Sequence, residues 1–303
     1  MPLQTISLWK HRQSFLCTPL VREESIDETL AAFFAWLDKA THGAGLMDFR
    51  YIPEGPFYRA LAEYLDHSER PRYLAQSCTR ALLRPRRDAD AYLREVLSRE
   101  HRKDFRRKER RLAEGGAIEY AAMKADDDPR PWIEEFLRVE HSSWKGQQGS
   151  ALLSTPEERR FFEAITMAAF ARGRLMMLAL RQGGRAVACK CNFIAGRGAY
   201  AFKIAYDPEH AMASPGVLLE MENVRRVHSS GALDWMDSCA APSNAMINRL
   251  WLDRLPVQSI TVGVGGRGQW ALAFMPLLKW LNRRVFRRDL AHRKPIEIET
   301  LAR

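Results

Sequence analysis

The side chains that could do chemistry fall into a few short groups. Ser214-Pro215-Gly216 is the most telling. Serine is a favoured helix N-cap, proline is pre-set for a first helical turn, and a neighbouring glycine lets a ligand approach the backbone. A helix start presents N–H groups and a positive dipole end, which suit a pyrophosphate. The same corner also reads as an ordinary proline-started helix. A second group is Glu140-His141 with Lys145. An imidazole such as that of His141 is a residue type that can take up a proton in catalysis, whereas Glu140 and Lys145 could equally form a local ion pair at a helix end. Tyr206-Asp207 closes an apolar run, and Asp237 closes another.

Other constellations carry less. Five cysteines (Cys17, Cys78, Cys189, Cys191 and Cys239) include no Cys-x-x-Cys pair, so buried thiols in a reducing compartment are favoured over a metal site or disulfides. Gly263-Val-Gly265-Gly-Arg-Gly268 fits G-x-G-x-x-G after a strand. A dinucleotide fold needs several more βα units behind that motif, and only 35 residues follow it. The glycines read better as a strand-to-helix turn.

The charge of +10 is concentrated. Ser98–Leu112 carries eight Lys/Arg against three acids, and Lys279–Arg303 repeats that ratio. Such stripes could attract phosphate-bearing partners, or be solvated helix faces. In the first stripe Arg99, Arg102, Arg106 and Arg110 recur at three and four along one helical face.

The elements that must position these groups follow from periodicity. Residues 13–21 read as a strand, and 24–40 as a helix with Leu30, Phe33, Phe34 and Leu37 on one face. Strand 45–52, helix 56–65 and extended 72–83 come next, followed by one long helix over 88–113 stopped at Gly115-Gly116. A strand at 117–123 and helices at 132–143 and 155–173 lead into a meander of 175–180, 186–195 and 199–206. The chain continues through a loop, a helix over 215–229, a strand at 232–239, a helix at 244–253 and a strand at 259–264, and ends in a basic helix. A chain of 303 residues, 46% hydrophobic, can bury a substantial core. It contains no apolar run of about 18 residues and no basic-then-apolar leader, so the expectation is a cytoplasmic protein without a transmembrane segment. The class expected is α/β (α+β).

That element order, with the basic SREHRKDFRRKERRL helix, Glu140–Gly146 (EHSSWKG), Lys203–Asp207 (KIAYD) and Ser214-Pro-Gly216, resembles the GNAT superfamily of N-acetyltransferases. The branch it resembles is the bacterial CelD-like, BioF-like acetyltransferase domain, related to the Fem-type transferases. The resemblance implies a mixed, mostly antiparallel central sheet flanked by helices. It places a partial N-terminal GNAT-like half at 1–112 and the acyltransferase domain at 113–303.

It also implies acetyl-CoA or another acyl-CoA as co-substrate, no metal, and an amine or hydroxyl acceptor on a small molecule or envelope-polysaccharide precursor. Ser214, Pro215, Gly216, Val217 and Lys203 would hold the coenzyme; His141, Glu140, Lys145, Tyr206, Asp207 and Asp237 would be the catalytic candidates. The sequence departs from the family at two points. Its loop before the helix, His210–Gly216, has one glycine, and the stretch 244–253 lacks the helical tyrosine that often serves as acid. A non-catalytic binding protein and a Fem-like aminoacyl-tRNA-dependent transferase are the alternative functions. Few aromatics interleave with the basic runs, so specific nucleic-acid binding is not expected.

Overall fold

The computed structural model describes residues 4–39, 44–86 and 88–274. In chain order the elements are β1 (Gln4–Ser7), α1 (Ile26–Lys39), β2 (Ala44–Pro53), α2 (Pro56–His67), β3 (Arg72–Leu83), α3 (Ala89–Val96) and α4 (Arg99–Glu114). There follow β4 (Ile118–Ala122), α5 (Pro129–Ser142), α6 (Trp144–Gln147), α7 (Pro156–Phe170), β5 (Leu175–Gln182), β6 (Arg185–Ala195) and β7 (Gly198–Tyr206). Last come α8 (Pro215–Ser229), β8 (Trp235–Asp237), α9 (Ala245–Leu250) and β9 (Asp253–Gly263). The described residues divide into two compact units, one formed by those up to Thr79 and those from Leu255 to Phe274, the other by those within Arg80–Arg254.

In the first unit the strand order is β1-β2-β9-β3. Ile26, Leu30, Phe34 and Leu37 of α1, and Phe57, Leu61 and Leu65 of α2, recur at helical spacing and are buried. They pack on Met47, Phe49, Ile260 and Val262, alternate residues of β2 and β9 that share one sheet face. The glycine motif ends here as close packing. A Cβ on Gly268 would run into the Gly45 carbonyl, and one on Gly263 would lie 2.8 Å from Gln269 Cα. These glycines are explained by backbone contact, as a strand-to-helix turn.

The second unit has the order β3-β8-β7-β6-β5-β4, with β7–β8 parallel and the other neighbours antiparallel. This is the mixed, mostly antiparallel sheet expected. Helices cover both faces. Met177, Ala179, Cys189 and Cys191 turn toward α5 and α7, meeting Ile133, Phe136 and Phe162. Leu178, Leu180 and Ala188 turn the other way, toward α3, α4 and α8, where Leu93, Phe105 and Leu219 are buried. The β5–β6 hairpin closes through Gly183 and Gly184, both at positive φ, the backbone a two-residue hairpin demands.

Several boundaries differ from the sequence expectation. No strand forms over 13–21; the first strand is β1. The single helix expected over 88–113 is two: α3 ends at Val96, Leu97 is extended, and the Ser98 hydroxyl accepts the His101 N–H at 3.2 Å to start α4. Serine at that position satisfies an orphan N–H and makes a new N-terminus cheaper than continuing the old helix. The last strand begins at Asp253, and the short helix α9 spans only six residues. The basic segment Lys279–Arg303 lies outside the described residues. None of the five cysteines is in a disulfide.

Candidate active site

The site begins with a strand that parts from its neighbour. β7 pairs with β8 only at Gly198–Trp235, Ala199–Met236 and Tyr200–Asp237. It then runs six residues further, to Tyr206, held on its other side by β6. β8 ends at Asp237, and Ser238 turns its N–H to the Ala81 carbonyl. From Ala201 to Tyr206 the edge of β7 that faces away from β6 has no strand pairing among the described residues. A sheet edge of this kind accepts an extended chain by main-chain hydrogen bonding.

Where β7 ends, the chain turns into α8. Asp207 is buried; its N–H donates to the Val187 carbonyl, and its carboxylate accepts the Glu209 N–H at 3.1 Å, starting the 3₁₀ turn Pro208–Ala213. Ser214 then sits at φ 52°, ψ 49°, a left-handed conformation rarely adopted outside glycine. Pro215 occupies the first turn of α8, as the sequence implies. The cap itself is different. Ser214 Oγ caps nothing on α8 and accepts instead from Lys108 Nζ of α4 at 3.1 Å. The Val217 and Leu218 N–H groups both close onto the Ser214 carbonyl. Fewer donors face outward than a helix start ordinarily offers, and a lysine from the basic helix stands beside them.

Gly216 is buried under the Tyr206 ring; a Cβ there would lie 3.4 Å from Tyr206 Cδ1. Val217, next along, lines a cavity of about 230 Å³ with Phe105, Ala245, Met246, Arg249 and Leu250. Tyr206, Asp207, Ser214, Pro215, Gly216 and Val217 are thus brought together at the β7–α8 corner.

The remaining candidates lie elsewhere. Glu140 is fully buried, accepting the Leu152 N–H at 2.9 Å and Lys203 Nζ at 3.1 Å. Lys203 therefore points toward α5. Glu140 thus makes a long-range ion pair with Lys203. His141 is exposed at the end of α5, and the Lys145 side chain lies outside what the structure describes. Asp237 is fully buried. Its Oδ1 accepts the Cys239 N–H at 2.9 Å and lies 3.8 Å from Arg80 Nε, while Oδ2 has no hydrogen-bond partner among the described residues. Burial pushes this carboxyl above the usual range against the opposing pull of Arg80.

Sequence reasoning missed a buried network beneath α8. Lys190 Nζ meets Glu220 Oε2 at 2.8 Å, and Glu220 Oε1 accepts from Asn223 at 2.9 Å and Trp251 Nε1 at 3.2 Å. Asn192 donates to Asn223 at 3.0 Å. A lysine and an asparagine inside the apolar strand 186–195 were its only signal. Among the described residues no cluster of three or more His, Cys, Asp or Glu could hold a metal, and no helix is long and apolar enough to cross a membrane.

Residues 99–244 match the model of the acetyltransferase (GNAT) domain family. FemX is 9% identical; the match covers 92% of this chain and 83% of that one, with a TM-score of 0.54. A domain assigned to a lysylphosphatidylglycerol synthetase of Agrobacterium fabrum is 14% identical, covering 85% and 79% of the two chains at a TM-score of 0.51. A conserved protein of unknown function from Bacteroides thetaiotaomicron is 13% identical, covering 78% and 75% at 0.51. These solved structures share the fold. No curated protein matches the chain.

Proposed function

We propose, from the match of residues 99–244 to the acetyltransferase (GNAT) domain family, that the chain transfers an acyl group, acetyl first, from acyl-coenzyme A to an amine or hydroxyl acceptor. The acceptor class is a small molecule or a saccharide related to the cell envelope. One observation carries the reading: β7 parts from β8 after Tyr200 and its free-running end leads into a proline-started helix, α8, whose first turn packs against Tyr206.

In this reading the thioester arm lies along the edge of β7 at Ala201–Tyr206, taking main-chain hydrogen bonds that β8 leaves unused. The α8 N-terminus and Lys108 face the phosphates, one dipole end and one ammonium taking the place of a glycine-rich loop. The thioester supplies an activated acyl carbon. The acceptor nitrogen or oxygen bonds to that carbon, the C–S bond breaks, and the thiolate leaves with the electron pair. The acceptor's proton must go to a base. We take Asp237 as that base, because it closes β8 at the point where β7 parts from it and its Oδ2 has no hydrogen-bond partner among the described residues. His141, exposed on α5, is the second choice.

Thermal unfolding in the presence of acetyl-CoA, longer acyl-CoAs and free coenzyme A tests the donor. A ligand that binds the native state raises Tm. Gly216→Val would press a branched side chain against Tyr206, and it should weaken coenzyme binding tenfold or more, about 1.4 kcal/mol, while leaving the circular dichroism spectrum unchanged. No Tm rise with any of these compounds would end the acyl-CoA reading and favour a non-catalytic binding protein.

A further inference from the structure

The second unit contains a cleft that the acyl-transfer reading does not use. It has a volume of about 560 Å³ and lies among α3, α4 and α8. Arg94, Arg99, Arg102, Lys103, Arg106 and Arg225 line it, against two carboxylates, Asp90 and Glu109. Both acids are engaged: Glu109 accepts the Tyr120 hydroxyl at 2.6 Å, and Asp90 lies 3.6 Å from Arg225. Arg102 is also engaged, donating to the Leu97 and Arg94 carbonyls that end α3. Arg99, Lys103 and Arg106 have no carboxylate partner among the described residues. Beneath the cations lies an apolar floor of Phe105, Leu218 and Met221.

We propose that this cleft binds a small molecule carrying two or more linked phosphates, of the class of nucleoside di- and triphosphates. Several cations converging on a concave, partly apolar surface focus a positive field and raise the local concentration of a multivalent anion. One monovalent anion would leave most of that charge uncompensated. The volume falls within the roughly 300–1,000 Å³ of small-ligand pockets. Guanidinium groups match paired phosphate oxygens in bidentate fashion, and the floor can take a flat, weakly polar group. The site is distinct from the α8 N-terminus, because Lys108 points from α4 toward Ser214, while Arg99, Lys103 and Arg106 share the other helical face. The proposal stands apart from the acyl-transfer reading.

Titration calorimetry on the full chain at about 0.15 M salt, with inorganic pyrophosphate, ADP and ATP, tests it. Saturable binding is expected, weakened at least tenfold by the combined Arg99→Gln, Lys103→Gln and Arg106→Gln substitutions. Arg172→Gln, on a different helix end, should change nothing. Titrating ADP into protein saturated with coenzyme A separates the two sources of this chemistry. Additive binding assigns the cleft to a separate nucleotide. Competition, with coenzyme A itself weakened by the triple substitution, would give the cleft to the coenzyme's own diphosphate end and overturn the proposal of a separate nucleotide site. Binding of ADP without any binding of coenzyme A would sink the acyl-transfer reading and leave the cleft intact. No saturable binding of any of the three compounds, or equal affinity in the triple variant, would overturn the proposal.

Discussion

Asp237 shows how much a single residue's surroundings decide. Its position after an apolar run was readable from the sequence; its burial, its uncommitted Oδ2 and its 3.8 Å approach to Arg80 were not, because those depend on β3 and β7 flanking it. With the folded pKa raised, the native state keeps a proton that the unfolded chain has already released at the same pH. Stability from this group is therefore present at acid pH and lost as pH rises from the ordinary carboxylate range through the raised native value. Asp237→Asn should flatten that part of the stability–pH curve and raise stability at neutral pH, since Asn Oδ1 can still accept the Cys239 N–H. Urea unfolding across that pH range reads it. In an acyl-transfer assay the same change should lower kcat by about 10²–10⁴-fold, the usual worth of a general base, with coenzyme affinity unaltered. Full activity in the Asn variant would return the base role to His141.

At the scale of elements, α8 is fastened to β6 by charge inside the fold. Lys190→Met would remove the ammonium and leave the buried Glu220 carboxylate to two neutral donors, Asn223 and Trp251. The expected cost is about 3–5 kcal/mol, seen as a lower urea midpoint at unchanged m. Adding Glu220→Gln keeps an acceptor for both donors and removes the stranded charge, so the double variant should be the more stable of the two. A double variant as unstable as Lys190→Met would show that the ammonium's packing, and not its charge, fastens α8. This pair also marks the limit of legibility. The meander β5–β7, its glycine turns, the proline start of α8 and the apolar rows of α1 and α2 were legible because each is written in a local period or turn residue. The break between α3 and α4 was missed because an amphipathic pattern runs through it unbroken, and only the Ser98 cap interrupts it. The pairings Lys190–Glu220 and Lys203–Glu140, and the closure of the Ser214 corner by Lys108, join residues 30 to 106 positions apart. No local pattern encodes them.

For the molecule as a whole, the excess of ten positive charges raises the question of nucleic acid. An extended polyanion needs a continuous, outward row of uncommitted cations. Along α4 that row is interrupted. Arg102 is tied to the end of α3, Arg99 and Arg106 turn into a concave cleft, and Asp104 pairs with Arg107 at 2.6 Å and Lys108 at 3.1 Å. Of the three acids within Ser98–Leu112, Asp104 does balance its own stripe; Glu109 serves Tyr120 instead. Exposed pairs of this kind are screened by water and decide little about stability, but they subtract from the field a backbone would meet. The expected result in a filter-binding assay with mixed RNA at about 150 mM salt is affinity no tighter than generic, about 10⁻⁴–10⁻⁶ M. A shallow salt dependence should accompany it, since each phosphate contact adds only about 0.7–0.9 to the slope of log K against log salt. Submicromolar binding with a steep slope, abolished when Arg99, Arg102, Arg106 and Arg110 become glutamine, would overturn this and promote an aminoacyl-tRNA-dependent transfer. Tight binding that survives those four substitutions would instead be carried outside α4, where Lys279–Arg303 holds the same ratio of eight basic to three acidic residues.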